Sequence, residues 1–423
     1  MKKFLLVKFI PTTFFLFFTA SIPCQANGFI NWIADTTHLG TQVFGLPRGL
    51  PPRPADWISH RLPVEDTRFP VGHKKRKACD REIIEIPYAS NLSRRGTILL
   101  IPGFMENVHT WDLVPEKGVS YARWLMNAKG LKVYMLNIRG VGQSCYPSKS
   151  NLDDIAIDDI PVAIAAVSQR EGKDNFLVMG HSMGGIALQA ALAGLDRCGD
   201  RNCFDPNSAI RRQKLVDSIA VEGSNSAFNL RDKEVAMKAG AHFEKLLSVL
   251  PSFFFDRISP NGIRNLNATI DPILNPTPIG DVLNRLKDPL FYFIFWRYFY
   301  DAPNVDPDTR EAFKTMAWDA TNRGTLEQYT FAIRNVGMQA TSGEPYVEAL
   351  NLITVPFAQA AFEHDTFADW EYSRTFNFDR VGSQQKQYFT YAGEGHQDFM
   401  LNAEFHQHQS DLIDWMINEA AAN

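Results

Sequence analysis

The stretch that most constrains this chain is a strand-like run, Asn175 to Met179, that enters Gly180-His181-Ser182-Met183-Gly184 and leaves as the helix-like Ile186 to Leu192. A turn that passes directly from strand to helix strains its central residue and leaves no room for bulk beside it, hence Gly180 and Gly184. The Ser182 hydroxyl is lifted clear of the sheet, above the unpaired N–H groups that open the helix. Such an elbow demands a buried strand with helices packed over it.

The rest of the chain supplies them. Short runs rich in Ile, Leu, Val, Phe or Tyr occur at 82–88, 97–101, 132–138, 175–179, 218–221, 356–362 and 386–391, and most read as buried strands. Helix-like segments lie between several of them, at 121–128, 153–169 and 185–195, with another at 404–419. This alternation predicts an α/β fold, a mainly parallel central sheet with helices on both faces. The core is expected over 80–223 and 346–423.

Between about 224 and 345 the alternation stops, and the segment reads as an inserted, mostly helical cap. Eight of the ten residues from Phe291 to Tyr300 are aromatic, a run too short to cross a bilayer and too apolar for a surface helix. Packing of cap on core, the lining of a greasy pocket and contact with lipid all remain open for it.

At the front, Met1-Lys2-Lys3, the apolar run Phe4 to Ile22 and Cys24-Gln25-Ala26 have the pattern of a secretory signal peptide cut after Ala26, so that 1–26 would be removed. An uncleaved membrane anchor is the rival. Residues 27–79 are rich in proline and read as an irregular extension ending in a basic cluster, Lys74 to Lys77. Export, periplasmic or secreted, with membrane association left open, changes how cysteines behave, because thiols pair in oxidising compartments. Cys198 and Cys203 enclose a short polar loop and are the first candidate bridge, with Cys79 and Cys145 available for a second.

The 43 basic and 47 acidic side chains leave a formal charge of −4, without the positive field that binding to a phosphate backbone requires. Nucleic acid is therefore set aside as a partner; the oligomeric state is not legible. No zinc-ligand spacing occurs, and the acids Asp153, Asp154, Asp158 and Asp159 lack the spacing of a calcium loop, suiting a helix start instead.

With the elbow in hand, the chain resembles the α/β-hydrolases of the serine esterase and lipase kind. Leu99-Leu100-Ile101-Pro102-Gly103-Phe104 is similar to the family's strand-then-HG segment, with Pro102 where His is common. Leu136-Asn137-Ile138-Arg139-Gly140-Val141-Gly142-Gln143-Ser144 resembles its D-x-R-G-x-G-x-S turn, with Asn137 for Asp. The resemblance implies a nucleophile, acid and base in that chain order. His396, in Gly393-Glu394-Gly395-His396-Gln397-Asp398-Phe399, matches the family's base segment. Asp365 falls where the orienting carboxylate stands, with Glu363 in reserve and Asp398 expected to be structural. His406 and His408 read as surface residues.

Backbone N–H groups of Phe104 and Met183 are the expected oxyanion donors. The implied chemistry is ester cleavage without cofactor or metal, on a hydrophobic small molecule or lipid. Acyl transfer or peptide cleavage by the same groups, and a binding protein that kept the fold, are the alternatives.

Overall fold

A computed structural model describes residues 52–227 and 300–422, apart from positions 70, 74–75, 77, 89–92, 146–149, 173–174, 320, 322 and 335–336. The expected signal peptide, most of the extension and residues 228–299 of the expected cap lie outside the described residues.

An eight-stranded sheet forms the centre, in the order β1-β2-β4-β3-β5-β8-β9-β10. Its strands are β1 (Ile58–Glu65), β2 (Ala78–Glu85), β3 (Gly96–Ile101), β4 (Leu131–Asn137), β5 (Phe176–His181), β8 (Ser218–Glu222), β9 (Phe357–Phe362) and β10 (Lys386–Tyr391). From β4 to β10 every pairing is parallel, and β1 and β2 add an antiparallel edge. The helices include α1 (Tyr121–Lys129), α2 (Ile160–Glu171), α3 (Met183–Leu192), α4 (Pro206–Gln213), α5 (Arg323–Arg334), α6 (Trp370–Phe376) and α7 (Ser410–Ala422).

Side-chain alternation in the central strands feeds two cores at once. Leu99, Ile101 and Val178 face the layer that contains α2 and α3, whereas Leu100, Leu177 and Met179 face the layer of α1 and α7. A strand buried on both sides has no polar face, which is why β3 and β5 read as continuous apolar runs.

The structure corrects the sequence in three places. Residues 58–65, expected to belong to an irregular extension, form the edge strand β1. Their sequence, ISHRLPVE, hides this because only one side of an edge strand pairs and most of these side chains meet solvent; Pro63, which lacks an N–H, is tolerated there. Next, β6 (Leu195–Cys198) and β7 (Arg201–Phe204) pair as a hairpin around Gly199-Asp200, with Gly199 at φ +68. Finally, His406 is buried, packed against the rings of Tyr121 and Trp124.

The four acids expected at a helix start divide their roles. Asp154 completes a capping box with Asn151. Asp153 accepts from Tyr346, Thr341, Gln328 and Asn202, while Asp158 and Asp159 end a π-helical turn, Ile155–Asp159, and pair with the buried Arg139.

Both cysteine pairs are bridged, Cys79 to Cys145 and Cys198 to Cys203, with sequence separations of 66 and 5. Loop-closure entropy makes the longer bridge worth about 4 kcal/mol and the shorter about 2. Cys79→Ser with Cys145→Ser is accordingly expected to lower the urea midpoint more than Cys198→Ser with Cys203→Ser.

Candidate active site

Five adjacent strands, β3, β5, β8, β9 and β10, end at one edge of the sheet, and each delivers a part of the site there. In open α/β sheets this carboxyl edge is where ligands bind.

β5 ends at His181, and Ser182 turns the chain into α3 with φ +50 and ψ −121, a conformation costly for any residue with a Cβ. Its N–H donates to the carbonyl of Glu222 at the end of β8 (2.8 Å). Close approach explains the flanking glycines. A Cβ on Gly184 would stand 2.4 Å from the carbonyl oxygen of Pro102, and one on Gly180 2.6 Å from the Cα of Gly185. Ser182 is partly exposed in a site otherwise almost wholly buried.

β9 runs out into Asp365, which is fully buried. Its Oδ1 accepts from the N–H groups of Phe367 (2.7 Å) and Ala368 (2.9 Å). Its Oδ2 lies 2.7 Å from Nδ1 of His396, in the loop after β10. The imidazole packs under the edge of Phe367 and beside Gly223, whose ideal Cβ would be 2.9 Å from Nδ1. The structure thus joins Asp365 to His396 and sets the pair against the turn that holds Ser182. The Ser182 hydroxyl donates no hydrogen bond to His396; in unliganded sites such bonds are often long.

Glu363, the reserve acid, accepts from the N–H of Gly393 (2.9 Å) and does not reach His396 by a hydrogen bond. Asp398 accepts from the N–H groups of Gly395 (2.7 Å) and Asp301 (3.0 Å) and from Asn304 Nδ2 (2.6 Å), tying residues 301–304 to the loop that carries His396. His364 pairs with Asp301, and His408 with Glu394.

The turn after β3 is pinned from outside. Met105 has φ +60, and its carbonyl accepts from the N–H of Asp319 (2.6 Å). Neither the Phe104 nor the Met183 N–H donates to another described residue. The contact of Gly184 with Pro102 brings their two segments together. Beside them a small cleft is lined by residues that include Met105, Met183, Ile138, Val141 and Ile155, and the ring of Phe104 packs on Tyr329 (5.4 Å). Of the aromatic run, Tyr300 is described; it is buried with Met105 and Leu401. Residues 291–299 lie outside the described residues. No group of three or more His, Cys, Asp or Glu is placed to hold a metal ion among the described residues.

Among the buried carboxyls that the sequence does not single out are Glu222 and Glu394. Glu222 has no hydrogen-bond partner for either carboxyl oxygen among the described residues; burial, and then the neighbouring Glu394, push its pKa well above the usual range. Glu394, two residues before His396, is raised to about 7, chiefly by burial, and Asp398 to about 6 for the same reason.

An acid raised by folding gives its full stabilisation below its unfolded pKa and loses it as pH rises through the folded value. Stability is therefore expected to decline through about pH 6 and then about pH 7 from these two groups. His406, lowered to about 4 by burial, works oppositely: its contribution is lost as pH falls below the ordinary histidine range. Glu394→Gln should flatten the upper part of the decline and leave the acid limb in place, as read by thermal unfolding across a pH series.

The comparisons agree with this architecture. A family model described as serine aminopeptidase, S33, matches residues 93–200. A probable lipase of Schizosaccharomyces pombe is 30% identical over 132 residues, a match that covers 29% of this chain and only 26% of that protein's length. Among solved structures, a thermophilic esterase from Thermogutta terrifontis is 13% identical with a TM-score of 0.50, over 85% of this chain and 99% of that one. A soluble variant of monoglyceride lipase from Saccharomyces cerevisiae is 14% identical with a TM-score of 0.52, over 87% and 97%. With its mostly parallel sheet, its strand-to-helix elbow and these likenesses, the chain has an α/β-hydrolase fold, similar to that of the esterase and the lipase above.

Proposed function

We propose that this protein is an exported serine hydrolase that cleaves carboxylic esters of lipids or other hydrophobic acyl groups through an acyl-serine intermediate. One observation carries the proposal: a buried carboxylate–imidazole pair, Asp365 to His396 at 2.7 Å, with His396 packed on His181 of the elbow that presents Ser182.

A serine hydroxyl is a weak nucleophile at neutral pH, so His396 Nε2 takes its proton as the oxygen attacks the ester carbonyl. Asp365 fixes the proton of the resting imidazole on Nδ1 and stabilises the imidazolium that follows. The Phe104 and Met183 N–H groups receive the oxyanion. His396 then protonates the leaving alcohol, and a water molecule, deprotonated by the same imidazole, releases the acid and restores Ser182. The hydrophobic substrate class draws support from the lipase and esterase among the relatives. Export draws support from the two disulfides and the N-terminal sequence.

A fluorophosphonate that reacts stoichiometrically at Ser182 is the expected result; an inert folded protein would overturn the proposal. p-Nitrophenyl esters of increasing chain length test the substrate class, since a preference for short acyl groups contradicts the hydrophobic assignment. Peptide-bond cleavage is a second reading, favoured by the description of the matching family model. Faster turnover of aminoacyl anilides than of esters would select it.

A further inference from the structure

Glu106, in the turn after β3, is 1% exposed and touches neither the Ser182 hydroxyl nor the His396 ring through a hydrogen bond. Its carboxylate nevertheless meets three of the segments that build the site. Oε2 accepts from the N–H of Gly103 (3.0 Å), one residue before Phe104. Oε1 accepts from Nε2 of Gln397, one residue after His396, across 291 positions of sequence. Oε2 also stands 3.5 Å from Nδ1 of His181, the residue before Ser182, and Nε2 of His181 donates to the main-chain carbonyl of His396 (3.0 Å). The fit is close: a Cβ on Gly103 would lie 2.9 Å from Glu106 Oε1 and 3.0 Å from His181 Nδ1.

We propose that Glu106 is a positioning residue of this site, its buried carboxylate holding the turn that carries the Phe104 oxyanion donor in register with the loop that carries His396. The inference rests on the hydrolase reading above. The chemistry explains why a carboxylate stands there. Both oxygens accept from N–H donors, Gly103 on one and Gln397 on the other. An amide of the same shape offers one acceptor, so Glu106→Gln must either turn its NH₂ toward a donor or force the packed Gln397 amide, whose Oε1 has no partner among the described residues, to turn over. Misplacing an oxyanion donor or a base by about 1 Å costs on the order of a hundredfold in rate.

The test compares wild type with Glu106→Gln on a p-nitrophenyl ester and follows hydrogen–deuterium exchange in the full chain. The expected result is kcat at least about tenfold lower with KM within about twofold, together with faster exchange in both 103–107 and 393–398. Should Glu106→Gln fail to fold, Gln397→Leu removes the same bond from the other side, with the same pattern expected. Wild-type kcat, or wild-type protection of 393–398 in a folded variant, would overturn the proposal. If wild type neither turns over esters nor labels at Ser182 while the variant still loosens both segments, the hydrolase reading fails and the hold of Glu106 on the two loops is supported.

Discussion

Ser182→Ala is expected to abolish fluorophosphonate labelling and to lower kcat for ester hydrolysis by about 10⁴-fold or more. The size of the loss follows from what the hydroxyl does and does not do. It forms the bond to the acyl group, so no neighbour can substitute for it. It makes no hydrogen bond to His396, and folding draws little on it. Alanine keeps a Cβ at φ +50, so the strain of the elbow is the same in both proteins and the melting temperature should hold. The backbone N–H groups of Phe104 and Met183 survive the substitution, and the residual rate over water reports their share, about 10³-fold in comparable sites. A variant that keeps more than about 1% of wild-type kcat would remove Ser182 from the chemistry.

The central strands and the elbow were legible in the letters because they are local. A run such as Phe176–His181 has to be apolar throughout when both faces are covered, and Met183–Leu192 needs only its own helix pattern. Asp365 and His396 were legible through family resemblance, each in a short motif just past a strand. What stayed hidden depends on meetings between distant segments. Nothing in the letters around Glu106 points to Gln397, and nothing near His406 announces the rings of Tyr121 and Trp124. Asn137, standing where the resembling family has Asp, gains meaning only when β2 brings Glu82 to 2.8 Å from its Nδ2, so that the carboxylate comes from a neighbouring strand. The edge strand β1 is hidden for the converse reason: with one side unpaired and wet, it carries little of the apolar signal that marks a strand.

Asp365→Asn is expected to cost nearly as much as losing the serine, about 10⁴-fold in kcat, while the protein stays folded. The surroundings dictate which way the new amide turns. Oδ1 of Asp365 faces two N–H donors, from Phe367 and Ala368, so the amide oxygen must take that side and the NH₂ must face His396. A donor at 2.7 Å from Nδ1 requires that nitrogen to be the acceptor, which moves the imidazole proton to Nε2. His396 then presents an N–H to Ser182 where the mechanism needs a lone pair, and the base is lost without any change in shape. KM should move little, because Asp365 contacts neither the leaving group nor the acyl chain in the proposed mechanism. Fluorophosphonate labelling of Ser182 should slow by a comparable factor, since it needs the same proton acceptor. Full activity in Asp365→Asn would transfer the orienting role to another carboxylate, and Glu363, bonded to Gly393 in the same loop, would be the next residue to replace.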